Sequence, residues 1–178
     1  MVTPLPRIEA APFGDATALR TAVGGAVDQL RPPATLLDSS FEVCGHAPVV
    51  VLAVEADGRL CLALPYRAGE PVRVEQVVVA TRTAANFLPW IRRIFPDAAI
   101  GEKPPRPVVV AERLEEAVVE LIGRVAGGSC YTYVGVRVGE EQVVLLRPAG
   151  DPLPPFRTGP PAAWDHLTTE EERVLFGG

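Results

Sequence analysis

Two unbroken apolar runs occupy the middle of the chain, at 49–54 and 60–64, with Asp57-Gly58 between them. An Asp-Gly pair flanked by apolar runs is the sequence of a tight hairpin whose turn needs positive φ. The pattern therefore predicts a strand near 48–55 folding back into a strand near 59–66. Strands with no polar alternation are covered on both faces, so this hairpin belongs at the centre of a sheet with helices packed against it. Ahead of it, "TLLDSSFEVCG" alternates, with Leu37, Ser39, Phe41 and Val43 on one side and Leu36, Asp38, Ser40 and Glu42 on the other. That is a half-buried strand.

Helical spacing appears on both sides of these strands. Asp15 can cap a helix from about 16 to 30, stopped by Pro32-Pro33. Gly24-Gly25 weakens that helix, and close approach to another element is the expected compensation. Val74, Val77, Val78, Thr81, Ala85 and Leu88 recur at helical spacing over 72–85, and Asn86 with Pro89 breaks the run before a second short helix. That helix carries Trp90, Ile91, Ile94 and Phe95, and Trp90 is expected in the core. A short buried strand follows at 108–111. Behind it, a helix at 114–126 places Leu114, Ala117, Val118, Leu121, Ile122 and Val125 on one face, and Glu115, Glu116, Glu120 and Arg124 on the other. Gly127-Gly128 ends it, and two strands joined at Gly139-Glu140 close the domain.

The order α, β-β-β, α, β, α, β-β predicts an α/β fold: a three-layer α/β/α sandwich around a mixed sheet, with the helices at 72–85 and 114–126 on its two sides. Residues 1–14 form a lead, 15–147 the domain, and 148–178 a Pro-rich tail. The tail holds Pro148, Pro152, Pro154, Pro155, Pro160 and Pro161, then "HLTTEEERVLFGG". A linker of this kind is extended, and it reaches on the order of 50 Å at ~3.1 Å per residue. The closing segment reads as a short helix with Glu170, Glu171 and Glu172 at its positive end and Leu167, Val174, Leu175 and Phe176 as a small apolar face.

Composition narrows the class without naming a role. The 178 residues are 48% hydrophobic and 22% charged, enough for one core. Cys44, Cys61 and Cys130 show no CxxC spacing and lie in apolar runs, so they are expected as buried thiols in a reducing compartment. No stretch approaches the ~20 apolar residues that cross a bilayer, and a cytoplasmic protein with no membrane partner is expected. The net charge of -5 weighs against a nucleic-acid partner held through phosphates. Against this, Arg67, Arg73, Arg82, Arg92, Arg93 and Arg106 form a local basic excess, so they are the candidate contacts for nucleic acid or for a protein partner.

The N-terminal helix, the strand, the D-G hairpin, the next helix, and "PRPVVVA" followed by an amphipathic helix together resemble the restriction-endonuclease-like PD-(D/E)xK superfamily, and most closely its NucS-like endonuclease branch. The similarity spans about residues 15–147. In that family an acid on each hairpin strand holds Mg²⁺ and a lysine stabilises charge at the attacked phosphate. Laid on this chain through the turn, the resemblance puts Val50 at the first acid, Leu64 at the second and Tyr66 at the lysine. Shifting by one residue offers Val49 or Val51, then Ala63 and Pro65. None of these supplies the oxygen ligands a hard dication needs.

A displaced site has few candidates. Asp38 and Glu42 share a strand face roughly 13 Å apart at ~3.3 Å per residue. Glu75 beside Gln76, and Glu55 before the turn, read as solvated acids. His46 and His166 have no partner at zinc-ligand spacing, and GxGxxG, GxxxxGK and GxSxG are all missing. Cys130 after "GGS" has no histidine partner. No metal and no cofactor are expected. The expected function is a catalytically inactive nuclease-fold scaffold that meets a protein partner, or a second copy, through its tail or a sheet edge. The alternatives are a degenerate nucleic-acid-binding module and a nuclease with a displaced site.

Overall fold

A computed structural model describes residues 8–42, 44–45 and 47–150. Residues 1–7, Val43, His46 and the tail from 151 onward, with Leu167, Val174, Leu175 and Phe176, lie outside the described residues. The elements run β1 (Ile8–Ala10), α1 (Ala16–Gly24), a 3₁₀ turn (Val27–Gln29), β2 (Ala34–Phe41), β3 (Val50–Glu55), β4 (Leu60–Pro65), α2 (Val74–Asn86), α3 (Leu88–Ile94), β5 (Arg106–Ala111), α4 (Glu116–Ala126), β6 (Ser129–Val138) and β7 (Glu141–Pro148). The fold is mixed α/β, and the described residues form one curled, seven-stranded mixed sheet and four α-helices.

The hairpin lies inside that sheet. β3 pairs antiparallel with β2 and β4, β4 runs parallel to β5, and β5 runs parallel to β6. β7 lines the second edge of β6 from Tyr131 to Val138, while β1 takes the part of β6 from Val136 to Val138 beyond the reach of β5. Each parallel step needs a crossover, and α2 with α3 supplies the first and α4 the second.

The two faces of the sheet carry separate clusters, as period-two side-chain alternation requires. Val50, Leu52, Leu62, Leu64 and Val109 face Val77, Ala80, Ile91 and Ile122. Val51, Ala53, Cys61, Ala63, Val108 and Val110 face Leu19, Val23, Val27 and Leu30. So α2, α3 and α4 cover one face, and α1 with its 3₁₀ turn covers the other. This corrects the expectation that the 72–85 and 114–126 helices sit on opposite sides: successive right-handed crossovers, running in one direction across the sheet, leave both helices on one face.

Local chemistry explains the boundaries. The Asp15 carboxylate accepts from the Ala18 amide at 2.7 Å and caps α1. α1 ends at Gly24 instead of continuing to 30. A Cβ on Gly24 would come within 3.3 Å of the Leu36 and Ser39 side chains, so the glycine permits the close approach to β2 that the sequence predicts. At the hairpin, Gly58 has φ +81, and a Cβ there would lie 2.7 Å from the Ala99 carbonyl. The Gly101 amide donates to the Gly58 carbonyl at 2.7 Å, and Lys103 Nζ donates to Asp57 Oδ2 at 2.7 Å. The turn is thereby clamped by the loop that leads into β5.

Trp90 is not in the core as expected; it is 48% exposed. In α3 the 91/95 column turns inward, with Phe95 against Phe41 at 5.9 Å between ring centroids, and the 90/94 column faces out. α4 repeats the arrangement: Ile122 is buried while Leu121 and Val125 are exposed. Among the described residues, no helix is long and apolar enough to cross a membrane.

Candidate functional site

Val50, Leu64 and Tyr66, where the resemblance laid through the turn implies ligands, are all buried, while Val49 and Pro65 of the shifted alignment are half-buried. Val51 pairs with Ala63 across the β3–β4 ladder. Val50 and Leu64 therefore face the same side, and both join Tyr66, Val77, Ala80 and Val109 in one apolar cluster beneath α2. The Tyr66 amide donates to the Val110 carbonyl at 2.8 Å, and its hydroxyl reaches the Arg73 carbonyl at 3.5 Å. Burial pushes the phenol up to about 12, so it stays neutral at physiological pH. With the one-residue shift, Val51 and Ala63 fall into the cluster on the other face. Either alignment fills the place of a metal with hydrocarbon.

The acids considered for a displaced site do not meet. Asp38 turns back to accept from the Ser40 amide at 2.7 Å, and Glu42 and Glu75 are exposed. Among the described residues, no three His, Cys, Asp or Glu side chains stand together in a way that could hold a metal ion.

Glu55 is the exception to its expected surface role. It is 5% exposed, and Arg106, at 7%, donates Nε to Glu55 Oε1 at 2.5 Å and Nη1 to Ser129 Oγ at 2.6 Å. Arg106 Nη2 has no hydrogen-bond partner. Arg106 thus belongs to the interior and leaves the set of surface contacts. The signal was in the strand phase: Glu55 continues the Val51–Ala53 side and Arg106 the Val108–Val110 side, so both point into the face covered by α1. Cys61 pairs with Arg106 in the β4–β5 register. Burial raises its thiol to about 12 despite the neighbouring guanidinium, and raises Cys130 to about 11. Neither is a ready nucleophile.

The remaining arginines divide into two places. Arg67, held at 3.6 Å from Glu70, and Arg73 lie where β4 passes into α2. Arg82 lies about 13 Å further along the axis of α2 at ~1.5 Å per residue, and Arg92 and Arg93 lie on α3. Arg92 is 3.8 Å from Glu102. Next to this second group, Phe87, Trp90 and Ile94 expose 42%, 48% and 41% of their surface, and the Phe87 and Trp90 rings meet edge to face at 6.3 Å.

Two clefts open elsewhere. One, of about 580 Å³, sits at the carboxyl ends of β4 and β5 between Arg67, Glu70, Glu112, Arg113 and Glu115. Its charges are of both signs and favour neither an anion nor a cation. The other, of about 680 Å³, runs between α1 and β7. There the Gln29 amide takes the outward groups of the edge strand, accepting from the Leu146 amide at 2.9 Å and donating to the Val144 carbonyl at 3.5 Å. A side chain that occupies an edge in this way blocks strand addition. At the opposite edge, β2 carries two register breaks, between Leu36 and Asp38 and between Asp38 and Phe41. Compared with known proteins, the chain matches no family model, no curated protein and no solved structure.

Proposed function

We propose that this chain is a nuclease-like domain without nuclease chemistry, a PD-(D/E)xK-type three-layer sandwich that serves as a protein-interaction or scaffold subunit. The observation that carries the reading is the burial of Val50, Leu64 and Tyr66 in one apolar cluster with Val77 and Val109. A divalent ion needs several oxygen ligands and a route from water, and this position offers neither. The order α1, β2-β3-β4, α2, β5, with β4 parallel to β5, supports the likeness, because it carries the D-G hairpin and the "PRPVVVA" strand in the order on which the resemblance rests.

Interaction is favoured over nucleic-acid binding by charge and by shape. The candidate arginines at the surface are divided between the start of α2 and the end of α2 with α3, within a chain of net charge -5, whereas phosphate binding calls for a concentrated basic face. Large apolar side chains are exposed on α2, α3 and α4, with others at Leu36, Val134 and Leu145 on the strands, and the two aromatic ones, Phe87 and Trp90, lie together at α3; such surfaces mark protein contacts. With both sheet edges blunted, the helical face is the favoured meeting place.

The test incubates the purified chain with end-labelled single- and double-stranded DNA and with RNA, in Mg²⁺ and in Mn²⁺. The reading expects intact substrate throughout. Cleavage that disappears in a Glu75→Gln variant would establish a displaced site instead. Tight binding to DNA that weakens steeply with salt would establish the nucleic-acid module.

A further inference from the structure

The outer side of α3 combines two features that rarely stay bare. Phe87, Trp90 and Ile94 form an apolar patch of which more than two-fifths of each side chain is exposed. Arg93 follows Trp90 by three residues on α3, Arg82 precedes Phe87 by five on α2, and neither has an ion-pair partner among the described residues. An apolar surface rimmed by unpaired guanidinium groups fits an amphipathic segment of negative charge.

We propose that this patch is the docking surface for the chain's own C-terminal segment, residues 167–176. The sequence of that segment supplies both halves of the match: Leu167, Val174, Leu175 and Phe176 for the apolar patch, and Glu170, Glu171 and Glu172 for Arg82 and Arg93. Leu121 with Val125 on α4, and Val134 with Leu145 across the β6–β7 ladder, are also exposed. The α3 patch differs from both in carrying two aromatic rings, Phe87 and Trp90, with the Arg93 guanidinium three residues from the indole, which suits Phe176 and the glutamates together.

Reach permits the docking. The described chain ends beside the start of β6, where the Ala149 amide donates to the Cys130 carbonyl at 2.8 Å. α3 packs over the β2–β3 side through Ile91 and the Phe41–Phe95 pair. The two places are separated by about four strand spacings, roughly 20 Å at ~4.8 Å each. Residues 151–166, extended at ~3.1 Å per residue, cover on the order of 50 Å. Their proline content lowers the entropy lost on docking, because the free chain already favours the extended form. A tethered segment also needs little intrinsic affinity, since its effective concentration at a site within reach is in the mM range. The proposal holds whether or not the hairpin ever carried nuclease chemistry.

The chain has two tryptophans, Trp90 and Trp164, so a Trp164→Phe background makes Trp90 the sole reporter in the full-length protein. Acrylamide quenching of Trp90 is compared in that background and in one also carrying Leu175→Asp and Phe176→Asp. Docking predicts a quenching constant about twofold higher in the aspartate variant, as the indole loses its cover. It also predicts that Arg82→Glu with Arg93→Glu raises quenching equally, and that adding Glu170→Arg, Glu171→Arg and Glu172→Arg restores protection. Circular dichroism confirms that each variant is folded. Equal quenching in all chains overturns the proposal. So does protection that is lost on dilution together with a dimer seen by light scattering, because the occupant would then be the tail of a second copy.

Discussion

Arg106 and Glu55, 51 residues apart in sequence, form an ion pair inside the sheet face covered by α1, with Ser129 as the third member. A pair buried to this degree is costly to break from one side, because the remaining charge stays unpaired in a medium that solvates it poorly. Glu55→Leu alone is expected to lower unfolding free energy by about 3–5 kcal/mol. The double change Glu55→Leu with Arg106→Met should recover most of that loss. Urea denaturation of the two single variants and the double variant measures the coupling; additive losses would mean that the pair is not what holds these groups.

That pair also shows where sequence reading stops. The hairpin was legible because its determinants are local: two apolar runs and an Asp-Gly turn fix β3, β4 and the face that is covered. Asp15, the Asn86–Pro89 break and the Gly127 end of α4 were legible for the same reason. Glu55 and Arg106 each stand in the inward phase of their strand, but that the two strand ends meet is not written in the sequence, and only tertiary pairing brings them together. Trp90 was misplaced by a related limit. A helix with adjacent apolar columns, 90/94 beside 91/95, does not state which column turns inward, and the same ambiguity affects 121/125 beside 118/122 in α4. The layer assignment of α2 and α4 depends on the handedness of two successive crossovers, which a linear pattern does not display.

Gly58 couples the hairpin to the loop before β5, so Gly58→Ala should destabilise by about 1–3 kcal/mol, through its positive φ and the carbonyl of Ala99. Thermal unfolding measures the loss. A variant as stable as the parent would show that this turn is not clamped.

At the same turn, the hydrogen bond from Lys103 holds the Asp57 carboxyl below its ordinary value. The contact therefore stabilises the fold above the ordinary carboxylate range and loses its effect as pH falls through the depressed pKa. In Lys103→Gln, the Asp57 carboxyl carbon should titrate at higher pH by NMR. An unmoved titration would place the depression elsewhere, in the amide of Arg59.

The thiols should separate by burial. With Cys61 raised to about 12 and Cys130 to about 11, neither presents thiolate at pH 8, while the half-buried Cys44 remains in reach of reagent. Iodoacetamide followed by peptide mass spectrometry should find label on Cys44 in the native chain, and on Cys61 and Cys130 only after unfolding. Early labelling of Cys61 would contradict the sealed sheet face.

The most direct measurement of the central claim concerns the hairpin itself. Mn²⁺ is titrated into the chain with isotope-labelled Val and Leu methyl groups, and line widths are read by NMR. The account predicts that the methyls of Val50 and Leu64 keep their widths, as side chains closed in a core cluster with no oxygen ligands. Selective broadening of those two, saturating with Mn²⁺, would contradict it and place a metal where this structure places hydrocarbon.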